Sequence, residues 1–65
     1  MDKNLLYYEI KKRGLTVADV SAAIGMSRGS FYSKINDNCD FKRSEIHKII
    51  RFLKLENALE IFFAD

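Results

Sequence analysis

The sequence predicts an all-α fold, a compact bundle of five short helices, on three observations. Apolar residues recur at helical spacing, most regularly at Ile46, Ile49, Ile50 and Leu53, which stand at i, i+3, i+4 and i+7. Capping residues and glycines (Gly14, Thr16, Gly25, Ser27) punctuate the chain at short intervals. Nothing reads as a strand, and there is neither an internal repeat nor a low-complexity tract.

The elements follow in order. Leu5, Leu6 and Ile10, with Tyr7 and Tyr8 among them, suit a helix of about three turns that closes on Lys11, Lys12 and Arg13. Cations in the last turn and Gly14 after it are a stop signal. Thr16 caps a second helix with Val20 and Ile24 on its inner face and Asp19 at the third helical position, a short capping-box analogue. Gly25 ends that helix after about two turns, and Ser27 opens a third with Phe31 and Ile35 on its buried side. The stretch from Asn36 through Asp37, Asn38 and Cys39 to Asp40 reads as a loop. A fourth helix begins near Lys42 or Arg43 and forms the backbone of the core. After a break near Lys54, Leu55, Leu59 and Phe62 share the inner face of a short fifth helix, leaving Ile61 and Phe63 off that face.

Sixty-five residues, 48% apolar and 31% charged, build one small core, so residues 1–65 form a single domain and a multidomain enzyme is excluded. No apolar run approaches the ~20 residues of a membrane span. No secretory signal follows Met1, so the expected address is cytoplasmic. A lone Cys39 with a lone His47 falls short of a zinc set, and no metal, cofactor or small-molecule ligand is expected. Cys39 is expected to be a free thiol and His47 an ordinary surface residue. Ser, His and Asp occur without the arrangement of a triad, and so small a domain has little room for a pocket, so no catalysis is assigned.

The formal charge of +2 is unevenly spread. Residues 10–54 hold ten of the eleven basic side chains against four acidic ones, while the two ends are net acidic. A basic middle suits a polyanion partner, and equally a solvated surface, so charge alone does not decide.

The segment from Thr16 to Ile35 decides further, because it has the form helix, glycine turn, helix: a helix-turn-helix at about 16–35. Steeply crossing helices need small side chains at the contact, here Ser21, Ala22 and Ala23, and a glycine able to adopt positive φ at the corner. Val20, Ile24 and Phe31 fill the corner, leaving Arg28, Gly29, Tyr32 and Ser33 facing outward.

With these residues the chain resembles the Cro and phage-repressor type helix-turn-helix proteins, the XRE family, over roughly residues 3–63. The resemblance rests on Leu15-Thr16, the Ile24-Gly25-Met26-Ser27 turn, Phe31, the Lys34-Ile35-Asn36 exit, and Ser44-Glu45-Ile46 with Ile49, Ile50 and Leu53. The closing run from Ile61 to Asp65 is similar to short prophage-type members. Ser21 replaces the family's usual alanine, and Asn36-Asp37-Asn38 lacks its usual glycine. The resemblance implies a five-helix bundle that regulates transcription on double-stranded operator DNA, often as a homodimer on a near-palindromic site, in a bacterial cell or phage-infected host. It also implies that the third helix, about 27–35, enters the major groove.

Arg28 is the first candidate for base reading, since a guanidinium there reaches guanine O6 and N7 in a bidentate pair worth ~1–3 kcal/mol of discrimination; a phosphate contact is the plainer role. Ser33 stands where the family commonly touches bases, and Tyr32 suits a sugar or a thymine methyl; plain helix surface is the equal alternative for each, and packing against the core a further one for Tyr32. Gly29 offers no side chain, costs ~1 kcal/mol of helix propensity, and either permits close backbone approach to DNA or weakens specificity. Ser27 and Ser30 at the first turn, Lys34 and Asn36 at the exit, and Lys42 and Arg43 at the next helix start are the phosphate candidates; plain N-capping for Ser27 and a solvated surface for the cations are the bland alternatives.

The leading expectation is therefore a sequence-specific, DNA-binding transcriptional regulator, either Cro-like or a detached DNA-binding domain, with any dimer formed around the fifth helix. The alternative is a protein-interaction module on the same bundle, an antirepressor-like binder of a regulatory partner using Ile61, Phe62 or Phe63. Tyr7, Tyr8, Ile61 and Phe63 are assigned either to the core or to a self-association patch.

Overall fold

A computed structural model describes residues 1–36 and 40–63. Among these, the chain forms five helices and no strand: α1 (Lys3–Lys12), α2 (Val17–Ala23), α3 (Arg28–Asn36), α4 (Arg43–Leu53) and α5 (Ala58–Phe62). They make a small all-α bundle of 26 × 25 × 20 Å. No helix among the described residues is long and apolar enough to cross a membrane.

The helix ends obey the local signals. The Asp2 carboxylate accepts from the Leu5 N–H at 3.0 Å and starts α1. α1 ends with Gly14 at φ +72°, where the Gly14 N–H donates to the Lys11 carbonyl and the Leu15 N–H to the Ile10 carbonyl. The same pair of bonds closes α2: Gly25, at φ +75°, donates to Ala22, and Met26 to Ser21. Thr16 and Asp19 form a reciprocal capping box at the start of α2, the Asp19 N–H donating to Thr16 Oγ1 at 3.2 Å and the Thr16 N–H to the Asp19 carboxylate at 2.8 Å. α4 stops at Lys54, which takes the left-handed conformation at φ 55° that glycine takes elsewhere, while the Leu55 N–H bonds back to Ile50.

Every helix contributes to one core: Leu6 and Ile10 from α1, Val20 from α2, Phe31 and Ile35 from α3, Ile49 and Leu53 from α4, and Ile61 from α5. Ile24, Phe41 and Leu55, in the connections, complete it. Phe41 packs its ring 5.3 Å from that of Phe31 and 6.3 Å from that of Phe62, linking α3 to α5 across the bundle. The Asp2 N–H donates to the Ile61 carbonyl at 2.7 Å and fastens α5 to the start of the chain.

Several sequence expectations are corrected. On α5 two residues exchange faces: Ile61 is fully buried and Leu59 is 73% exposed, while Phe62 packs against the core and Phe63 stays outside it as expected. Leu55 is buried but precedes the helix, so its spacing to Leu59 carries no helical phase. Of the three small residues assigned to the α2 contact, only Ser21 is buried; Ala22 and Ala23 turn outward, because 100° per residue carries them off the face shared by Val20 and Ile24. The Ser21 hydroxyl bonds back to the Val17 and Ala18 carbonyls, which satisfies it inside the packed face. Asn36 is the last residue of α3 rather than the first of a loop. Asp37, Asn38, Cys39, Ala64 and Asp65 lie outside the described residues.

Candidate nucleic-acid interface

α2 and α3 are joined by the four residues Ile24 to Ser27, and the buried faces of both helices meet around Val20, Ile24 and Phe31. This packing fixes the roll of α3 about its own axis. With Phe31 and Ile35 turned inward, Arg28, Gly29, Ser30, Tyr32 and Ser33 are exposed. The four base-reading candidates thus share one solvent-facing surface of one helix.

The start of α3 is built by two serines. The Ser30 N–H donates to Ser27 Oγ at 3.1 Å, and the Ser27 hydroxyl donates to Ser30 Oγ at 2.9 Å. Ser27 is therefore an N-cap, and the exposed Ser30 hydroxyl pairs with it at the start of the helix. Gly29 has ordinary helical backbone, and a Cβ added there meets nothing within 4 Å.

The cations divide into two groups. Lys34 is turned toward α4: its Nζ lies 3.5 Å from the Glu45 carboxylate and 3.4 Å from the Asp40 carbonyl, and its side chain is only 22% exposed. Glu45 also accepts from the Lys42 N–H at 2.8 Å, so one carboxylate both caps α4 and neutralises Lys34. Arg28, Lys42 and Arg43 are exposed, and none has an ion-pair partner among the described residues. Asn36 is exposed at the end of α3 and hydrogen-bonds to Tyr7. Burial, reinforced by neighbouring Tyr32, raises the Tyr7 hydroxyl above its usual value, and the Asn36 hydrogen bond opposes the shift.

A buried ionic cluster that local patterns do not reveal lies away from this surface. Glu9 is 5% exposed; its carboxylate accepts from Arg13 Nη1 at 2.6 Å, with Lys12 Nζ at 3.4 Å and Asn57 Nδ2 at 3.4 Å. The Arg13 hydrogen bond holds the Glu9 carboxyl below its usual range. Its contacts join the end of α1 to the Leu53 carbonyl at the end of α4 and to Asn57 at the start of α5.

No family model matches the chain, and no curated protein or solved structure matches it either.

Proposed function

We propose that the protein is a sequence-specific, DNA-binding transcriptional regulator in which α2 and α3 act as a helix-turn-helix and α3 enters the major groove. The observation that carries this reading is the exposed row of Arg28, Gly29, Tyr32 and Ser33 on a helix whose opposite side is locked into the core by Phe31 and Ile35. Arg28 stands in the first turn, where recognition helices meet base edges, and its side chain makes no ion pair among the described residues. The Ser30 hydroxyl and the first-turn N–H groups of α3 face one flanking phosphate, with Lys42 and Arg43 at the start of α4 on another. Lys34 is assigned to holding α3 against α4 through Glu45 rather than to a phosphate. The resemblance to the Cro and phage-repressor type proteins supports α3 as the helix that enters the groove.

The alternative, a protein-interaction module, draws on Leu59 and Phe63, two large apolar side chains in solvent at the end of the chain described. Amide chemical shifts followed during titration with a duplex separate the readings. A DNA reader shifts residues 27–33 and 42–43 most, and substituting Arg28→Ala weakens the response. A module of the second kind leaves these amides in place.

A further inference from the structure

α4 carries a second charged surface. Arg43, His47 and Arg51 recur every fourth residue, about 6 Å apart along the axis, and Lys48 stands beside them. All four are exposed on the side of α4 opposite Ile49 and Leu53, which are buried. The one acidic residue of the helix, Glu45, is turned away to Lys34. The ion pairs found among the described residues involve Lys12, Arg13 and Lys34, so no counter-charge within that part of the chain answers this row. Lys48 and Arg51, like charges at i, i+3, disfavour a helix, so the row is held together by the packing of the opposite face.

The row itself is made of charged and polar side chains; apolar ones border it on two sides, half-exposed Phe52 past Lys48, and exposed Phe63 with Ile46 and Ile50 beside Arg43 and His47, but none stands within it as the aromatic anchor at the centre of a protein–protein contact would. A nucleic-acid backbone is the complementary partner, a continuous line of phosphates recognised by charge alone. We propose that the outward face of α4 binds a phosphodiester backbone through Arg43, His47, Lys48 and Arg51. The contact is independent of sequence and goes beyond base reading by α3. It does not require α3 to read bases.

The test measures anisotropy of a labelled duplex of about 20 base pairs and arbitrary sequence, titrated between about 50 and 200 mM salt. The double variant Lys48→Ala/Arg51→Ala should lower the slope of log K against log salt by about 1.8, at about 0.9 per phosphate contact. Removing two of the exposed α1 cations by Lys3→Ala/Lys11→Ala should leave the slope unchanged, and Lys48→Arg/Arg51→Lys should retain it. Thermal melts confirm that each variant is folded. Equal slopes for the α4 double variant and the parent overturn the proposal, as does an equal loss in the α1 variant, or displacement of the duplex by polyglutamate at matched charge. Arg28→Ala, measured in parallel, separates the two surfaces: loss of sequence preference with the α4 effect intact supports both, and a parent with no sequence preference but an intact α4 effect rejects only base reading by α3.

Discussion

Arg13 Nε donates to the Leu53 carbonyl at 2.6 Å, a contact across 40 residues that ties the end of α1 to the end of α4. The same guanidinium bonds to the carbonyl and the carboxylate of Glu9, so one side chain closes two helix ends and satisfies a buried acid. Arg13→Ala should destabilise the domain by about 1–3 kcal/mol through the lost charge-assisted bonds. Arg13→Lys should recover only part, because an ammonium lacks the planar fork. Urea denaturation midpoints check both; an unchanged midpoint for Arg13→Ala would remove the contact from the account.

Lys54 holds a left-handed conformation that costs a residue with a Cβ about 1 kcal/mol. Lys54→Gly should therefore raise stability by up to about that amount, and Gly25→Ala, at φ +75°, should lower it comparably. Thermal melts of the two variants should move in opposite directions.

Gly29 is a helical glycine with open space where a Cβ would go. Gly29→Ala should stabilise α3 by about 0.5–1 kcal/mol. If DNA approaches the backbone at this position, the more stable variant binds its operator less tightly. Melting temperature and duplex affinity measured on the same preparation give both results.

Acid should unfold the protein through Glu9 and Asp19. Hydrogen bonding from Arg13 lowers the Glu9 carboxyl from its ordinary 4.5, and bonds from the Thr16 N–H and hydroxyl lower Asp19 from 3.8. A carboxyl that is more acidic when folded contributes stability above its unfolded value and loses it as pH falls through the folded one. The urea midpoint should therefore respond to these groups only below about pH 5, and Asp19→Asn should flatten part of the fall. A midpoint decline that Asp19→Asn leaves unaltered would count against the Asp19 contribution.

The helices of the bundle were legible where the signal is local. Gly14, Thr16, Gly25 and Ser27 mark boundaries by their own backbone and capping chemistry, and the Ile46 to Leu53 pattern is long enough to set a phase. Phe41 was not legible: it stands alone between Asp40 and Lys42 without periodic partners, yet its ring packs between those of Phe31 and Phe62. α5 has five residues, too few to fix a phase, and so Ile61 and Leu59 exchanged places. At the candidate interface, the exposure of Arg28, Tyr32 and Ser33 followed from the burial of Phe31 and Ile35, one helical face implying the other. The diversion of Lys34 to Glu45 did not follow, since it depends on how α3 and α4 lie in space.

The central claim is that α3 reads bases through Arg28. Selection of bound sequences from a random duplex pool at two salt concentrations, repeated with Arg28→Ala, tests it most directly. The parent protein should enrich a defined motif, and the variant should show a relaxed preference at one base position. A parent that enriches no motif, or binding that vanishes uniformly at moderate salt, would contradict it.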